Sequence, residues 1–444
     1  QRIVAFTETR DLVVKERVLR MLLFGSKETR TRAKAERLFS QGIEAARRDD
    51  YLRATALFER AMNLYRMIPG TEEEEAVCLK YLAVILLALD KLSESESGFR
   101  HALTLYQTIP GTELDQADCL YALAIALCKQ GNLAESEILS RQSLALSQMI
   151  PETEKNQADC LLNLATTLLL LGKPVDAESI YRQSLALYQE LPGTELDQAD
   201  CLYNLANTLS DLNKSTEAES IRRQALALYQ TIPGTERDQA DCLHALANTL
   251  DELDKPAQAE PFFREALALY QTIPSTQHEQ ARCLYNLANT LHKLGKNAQA
   301  EPLYRQAITL YQTIPGTQQK QANCLNNLAT TLDDLGKPTQ AEPLYRQALT
   351  FFQTLPGTQH EQSNCLYNLA NSLHNRGRQA QAEPLYRQAL TLYQQTSGTE
   401  FEQANCLYNL AKILIDLGKP AQAESMLRHA LTLFQAIPGS EEKR

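Results

Sequence analysis

Several absences bound this chain before any motif is read. No apolar run reaches the roughly 18 residues of a membrane-crossing helix, so no membrane span is expected. Lysine and arginine number 44 against 54 aspartates and glutamates, a net charge of −10. A nucleic-acid surface needs the opposite sign, so nucleic acid is not an expected partner. No glycine- or serine-rich linker and no low-complexity insert interrupts residues 35–444, so no domain boundary is expected within them. A phosphate-binding glycine loop, HExxH and GxSxG are all missing. The sequence starts at Gln1 rather than at a methionine, which suggests a fragment or a processed form.

What is present is repetition. The stretch 281–321 recurs with a period of 41 residues. The register is marked by Ala54, Ser95, Ser136, Ala177, Ala218, Ala259, Ala300, Ala341, Ala382 and Ala423. Ten units run without insertion or deletion: 35–75, 76–116, 117–157, 158–198, 199–239, 240–280, 281–321, 322–362, 363–403 and 404–444. A fixed period of this size signals a solenoid, in which each unit buries its apolar faces against its neighbours. Positions within a unit are numbered 1 to 41.

Leu284, Leu287, Ala288, Leu291 and Leu294 fall on one stripe at helical spacing (positions 4, 7, 8, 11 and 14). Thr276, with Glu279 three residues on, predicts a capping box at the start of that helix. Gly295 predicts its left-handed end. A second helix carries Ala300, Leu303, Tyr304, Ala307, Ile308 and Tyr311 and stops at Pro315-Gly316. Small residues at positions 20 and 27 allow close helix approach. Pro302 is expected near the first turn, where its missing N–H costs little. Glu301 and Arg305, four apart, read as one of a series of solvated pairs, each worth about 0.2–0.5 kcal/mol.

Nine of the ten cysteines, from Cys78 to Cys406, share one repeat position. Packed helices stand about 8–10 Å apart, and a disulfide needs Cα atoms within roughly 7 Å. They therefore read as free thiols in a packed seam, with Cys128 alone out of register. Free thiols suit a reducing compartment, so a cytoplasmic location is expected.

Leu at position 4, Leu-Ala at 7 and 8, Gly at 15, Ala at 20, Tyr or Phe at 24 and Ala at 27 resemble the tetratricopeptide repeat. The phrases NLANTLHKLGK and AEPLYRQAL are similar to its longer-loop subtype, found in kinesin light chains and many bacterial repeat proteins. The resemblance covers 35–444. It implies an all-α, right-handed superhelical solenoid of ten helix-turn-helix repeats that binds other proteins. The generic motif's position-4 tryptophan is leucine here, and the chain has no tryptophan. The first repeat departs most, with Gln41-Gly42 in place of Leu-Ala. Residues 1–34 lie outside the pattern. Leu12, Val13, Val14, Val18, Leu19, Leu22 and Leu23 suggest a helix closed by Gly25-Ser26, either an N-terminal cap or the tail of an upstream domain.

In such arrays the opposite stripe of the first helix lines the concave groove. Position 6 holds Asn163, Asn204, Asn286, Asn327, Asn368 and Asn409. Position 9 holds Asn207, Asn248, Asn289 and Asn371, and position 5 holds tyrosines that include Tyr203, Tyr285 and Tyr367. An asparagine amide offers donors and an acceptor, so a ladder of them could hold an extended peptide by its backbone. It resembles the ladder of O-linked N-acetylglucosamine transferase. Alternatively these asparagines bridge neighbouring helices. The groove reads as apolar at one end (Val84, Leu87, Ile125, Leu169) and acidic further on (Asp211, Asp251, Glu252, Asp333, Asp334). The expected ligand is a segment with an apolar anchor and a basic stretch, unless residues 1–34 fold back over the apolar end.

The expected function is therefore a protein- or peptide-binding scaffold, with no cofactor and no metal. The alternative is a sensor or regulatory arm of a larger protein whose NTPase or protease domain lies elsewhere. An enzyme within these residues is disfavoured: His292 and His374 are two repeats apart, about 20 Å at the helix-packing distance, too far for a shared site. Self-association through uncapped ends is a further expectation.

Overall fold

The computed structural model describes residues 27–436, and among them it contains twenty α-helices and no strand. The expected helix over residues 12–23 lies outside the described residues. The chain divides into two compact units, the first ending at Leu228 and the second beginning at Tyr229.

The first unit contains α1 (Lys27–Arg47), α2 (Tyr51–Tyr65), α3 (Glu72–Ala88), α4 (Leu92–Tyr106), α5 (Glu113–Gln130), α6 (Leu133–Met149), α7 (Glu154–Leu170), α8 (Pro174–Glu190) and α9 (Glu195–Asp211). The boundary falls in α10 (Ser215–Thr231). The second unit continues with α11 (Glu236–Glu252), α12 (Pro256–Thr272), α13 (Gln277–Lys293), α14 (Asn297–Gln312), α15 (Gln318–Asp334), α16 (Pro338–Thr354), α17 (Gln359–Asn375), α18 (Gln379–Gln394), α19 (Glu400–Asp416) and α20 (Pro420–Ala436). Within each unit the pattern is one of paired helices. A first helix packs on the second helix of its repeat, and that second helix packs on the next first helix.

The apolar stripes supply the core in both units. Ala300 and Ala307 are fully buried, as are their equivalents Ala177, Ala341 and Ala382, so the second helices sit close against the first. The nine seam cysteines are buried, and none is in a disulfide. Their choice has a physical reason: the thiols of Cys201, Cys283, Cys365 and Cys406 donate to carbonyls one helix back, at 3.2–3.3 Å from Tyr181, Phe263, Tyr345 and Tyr386. Gly42 in the degenerate first repeat is a packing choice too. A Cβ there would lie 2.8 Å from the ring of Phe58.

Three local expectations are corrected. Thr276 does not cap the helix that begins after it. Its φ of −104° and ψ of 22° hold the side chain away from the helix N–H groups. Its hydroxyl donates backwards instead, to the carbonyls of Tyr270 at 2.5 Å and Ile273 at 2.9 Å. Thr112, Thr194, Thr235, Thr358 and Thr399 do the same. The open carbonyls at the end of the preceding helix outcompete the N–H groups of the next. Pro302 is the sixth residue of α14, beyond the first turn. The carbonyl it leaves unpaired belongs to Ala298, an exposed residue, where water can satisfy it. The Glu–Arg pairs are also more than local. Glu301 is held by Arg305 at 2.9 Å and by Lys337 of the next repeat at 2.8 Å, so it ties two repeats together.

Candidate functional site

Position 24 of the repeat belongs to the core stripe, and its ring is buried. Its polar end has a separate role. Tyr304 donates to Oδ1 of Asn289 at 2.5 Å, and Tyr386 makes the same bond to Asn371. Where position 9 is threonine the phenol pairs with its hydroxyl: Tyr181 with Thr166 at 2.9 Å and Tyr345 with Thr330 at 3.0 Å. In one repeat the tyrosine is replaced by Arg222, buried, whose guanidinium donates to Oδ1 of Asn207 at 2.9 Å and to Ser210 at 2.9 Å. The need of a buried phenol for a partner is the sequence signal that could have revealed this pairing.

In the second unit the position-6 asparagines bridge neighbouring first helices. Asn286 donates to Oδ1 of Asn248 at 2.9 Å, Asn327 to Asn289 at 2.9 Å and Asn409 to Asn371 at 3.4 Å. Asn327 and Asn409 also reach the phenol oxygens of Tyr285 at 3.1 Å and Tyr367 at 2.7 Å. Asn368 meets Asn326 at 3.4 Å. In the first unit Asn163 donates to Ser140 at 2.9 Å, while Asn204 is half-buried. The two asparagine positions therefore differ. Position 6 spends its donors on the adjacent helix. At position 9, Asn289 and Asn371 each accept two hydrogen bonds at Oδ1, from a phenol and from a position-6 amide. Those bonds fix the amide plane; the NH2 end of each lies by the phenol oxygen of Tyr285 or Tyr367, and its second N–H is the donor left on offer.

Asn289 lines a cleft of about 320 Å³ with Asn248, Asn286, Asn327, Asp251, His292 and Lys293. The structure thus gathers several of the expected residues of the second unit in one concave site. His244 stands at position 5 where other repeats have tyrosine, and it is buried against Phe263 with the amides of Asn248 and Asn286 at 3.3 and 3.1 Å. Burial, aided by the charge of Arg282, lowers its pKa to about 3, so the ring stays neutral and serves as a hydrogen-bonding wedge. His292 bonds Asn297 at 2.9 Å.

The acidic residues part company. Asp333 accepts from Ser372 at 2.9 Å and from Tyr345 at 3.1 Å, and burial raises its pKa. Asp251 is half-buried, and Glu252 and Asp211 are exposed. In the first unit Val84 and Leu87 are half-buried against a core of Ala83, Phe99, Leu123 and Leu127. Leu169 leans on the core around Leu164 and Leu168, Ile125 is half-buried, and Tyr203 is half-buried. A second cleft, of about 650 Å³, opens in the first unit between α4 and α6, with Leu103, Leu120, Leu139, Leu146 and Met149 in its walls. It lies off the stripe that the sequence singled out. No described helix is long and apolar enough to cross a membrane.

The tetratricopeptide-repeat family model matches residues 115–190, 197–272, 279–354 and 361–436, and a related tetratricopeptide-repeat model matches 240–313. No curated protein matches. Solved structures similar to the chain include the apo form of RapI, at 11% identity and a TM-score of 0.62, covering 81% of this chain and 97% of that one. The apo form of the quorum sensor NprR from B. thuringiensis is similar at 14% identity and a TM-score of 0.55, covering 82% and 97%. A putative kinesin light chain from Podosopora anserina with nearly identical repeats aligns at 16% identity, over 46% of this chain and 98% of its own, with a TM-score of 0.40.

Proposed function

The chain belongs to the tetratricopeptide-repeat family of protein-interaction scaffolds, and we propose that its first helices hold an extended segment of a partner protein by the backbone. The observation that carries this reading is the oriented amide of position 9. A peptide carbonyl can accept from it whatever the side chains of the segment are, and the donor is already fixed before the segment arrives. The position-6 asparagines support it from behind. The half-buried Val84, Leu87, Ile125 and Leu169 of the first unit suit an apolar anchor, and the acidic residues of the second unit suit a basic stretch.

A randomised peptide display tests this. The parent chain should select binding peptides, and the double variant Asn289→Asp with Asn371→Asp should lose them. Aspartate keeps the acceptor for the phenol and the neighbouring amide, removes the NH2 donors and adds a negative charge, so the comparison is made on peptides without basic residues. Equal selection by both proteins would place binding elsewhere.

A second reading, the sensor or regulatory arm of a larger protein, draws support from the likeness to the quorum sensor NprR. Finding an NTPase or protease domain in the same gene product would favour it.

A further inference from the structure

The carboxylates of the second unit are not equivalent as partners for a ligand. Asp333 has both oxygens engaged. Asp334 lies beside His292, with Oδ2 3.6 Å from Nδ1. Asp251 differs from both. Its Oδ2 accepts from Thr290 at 2.7 Å, with the ammonium of Lys293 3.7 Å away. Its Oδ1 is buried and has no hydrogen-bond partner. Asp251 itself lines the 320 Å³ cleft beside Asn289.

A buried carboxylate oxygen without a donor is costly to keep. The neighbouring amides do not relieve it, because Asn286 donates to Asn248 and His244, and Asn327 donates to Asn289 and Tyr285. The side chain of Lys293 is half exposed and stands by the other oxygen.

We infer that this cleft takes a cationic side chain of the bound segment, a lysine ammonium or an arginine guanidinium, with Oδ1 of Asp251 as its counter-charge. The inference rests on the backbone-holding groove proposed for this chain and specifies one residue class within it. A cation supplies both the missing donor and the opposite charge, and such charge-assisted bonds are roughly twice as strong as neutral ones. The NH2 of Asn289 is placed to take a carbonyl of the same segment. The net charge of −10 favours a basic partner at encounter. Lys293 competes for the same carboxylate and so sets a threshold that the ligand must exceed.

The test uses fluorescent peptide mixtures, each with one position fixed as lysine, arginine, norleucine or glutamate and the rest randomised. With the full chain, lysine or arginine at one fixed position should bind about tenfold tighter than norleucine, a difference of about 1.4 kcal/mol. Asp251→Asn keeps the shape and the bond from Thr290. It should abolish that preference and leave the norleucine mixtures unchanged. Lys293→Met should enlarge the preference. The lysine and arginine mixtures separate an ammonium site from a guanidinium site. A basic preference that survives in Asp251→Asn overturns the inference, as does binding of all mixtures by the parent chain without any basic preference; in that second case the groove reading stands. Failure of every mixture to bind overturns the groove reading and this inference with it.

Discussion

The phenol of Tyr304 donates to Oδ1 of Asn289 from fifteen residues along the chain, at 2.5 Å. A residue that fills the core thereby sets the orientation of a residue on the outer wall. Tyr304→Phe keeps the packing and removes only this bond. The variant should lose about 0.5–1.5 kcal/mol of stability, read by denaturant unfolding, and should bind selected peptides more weakly because the Asn289 oxygen is then held by Asn327 alone.

The position-6 asparagines should behave differently. Asn327→Ala removes the donor to Asn289 and to Tyr285 and leaves their buried polar atoms short of partners. The expected loss is about 1–3 kcal/mol. Amide hydrogen exchange should rise in both α13 and α15, because the bridge joins those helices. A loss of binding with unchanged stability would show that Asn327 acts on the ligand instead.

The inter-repeat ion pairs give a pH dependence. Hydrogen bonds from Lys173, Lys214, Lys296, Lys337 and Lys419 lower the pKa of Glu137, Glu178, Glu260, Glu301 and Glu383 respectively. A carboxylate depressed in the folded state contributes stability above its unfolded pKa and loses it as pH falls through the folded one. The melting temperature should therefore be flat near neutrality and drop once the pH falls below the ordinary glutamate range of about 4.3. Lys337→Met should flatten that drop slightly. The lysines are more than a third exposed, so solvent screens each bridge to a few tenths of a kcal/mol up to about 1 kcal/mol. A melting temperature that stays level into acid would contradict this account.

Thiol reactivity should divide nine to one. Burial pushes the thiols of Cys78, Cys119, Cys160, Cys201, Cys283, Cys324, Cys365 and Cys406 up to about 12, and a thiol rather than a thiolate reacts slowly. Cys128 is half-buried and outside that seam. Titration with a chromogenic disulfide should label one cysteine in the native chain and all ten after unfolding. Rapid labelling of several native thiols would mean that the seam opens readily.

The architecture is largely legible in the sequence because it depends on spacing alone. Leu284, Leu287, Ala288 and Leu291 state a helix, and repetition every 41 residues states the stacking. The side-chain bonding is less legible, since it depends on partners far along the chain. Glu301 and Arg305 are visible as neighbours on one helix, whereas Lys337 is 36 residues away. Thr276 resembles a cap because the capping motif is defined by the residues C-terminal to it, and its real partners, Tyr270 and Ile273, precede it. Positions 6 and 9 look alike as rows of asparagine. Only the rotation of each helix against the next shows that Asn286 faces a neighbouring helix while Asn289 is held by a phenol behind it.

The outward amides of Asn289 and Asn371 are central to the proposed binding, and calorimetric titration of one display-selected peptide measures them directly. The parent chain, Asn289→Asp with Asn371→Asp, and Asn327→Ala would be compared, with melting curves alongside. Two lost hydrogen bonds of about 1 kcal/mol each predict roughly thirtyfold weaker binding of a peptide without basic residues by the double aspartate variant, read at a temperature where that variant is folded. The Asn327→Ala chain should melt earlier and, at a temperature where it is folded, bind within a few fold of the parent. Undiminished affinity in the double aspartate variant would contradict the account, and binding would then have to be sought away from these amides.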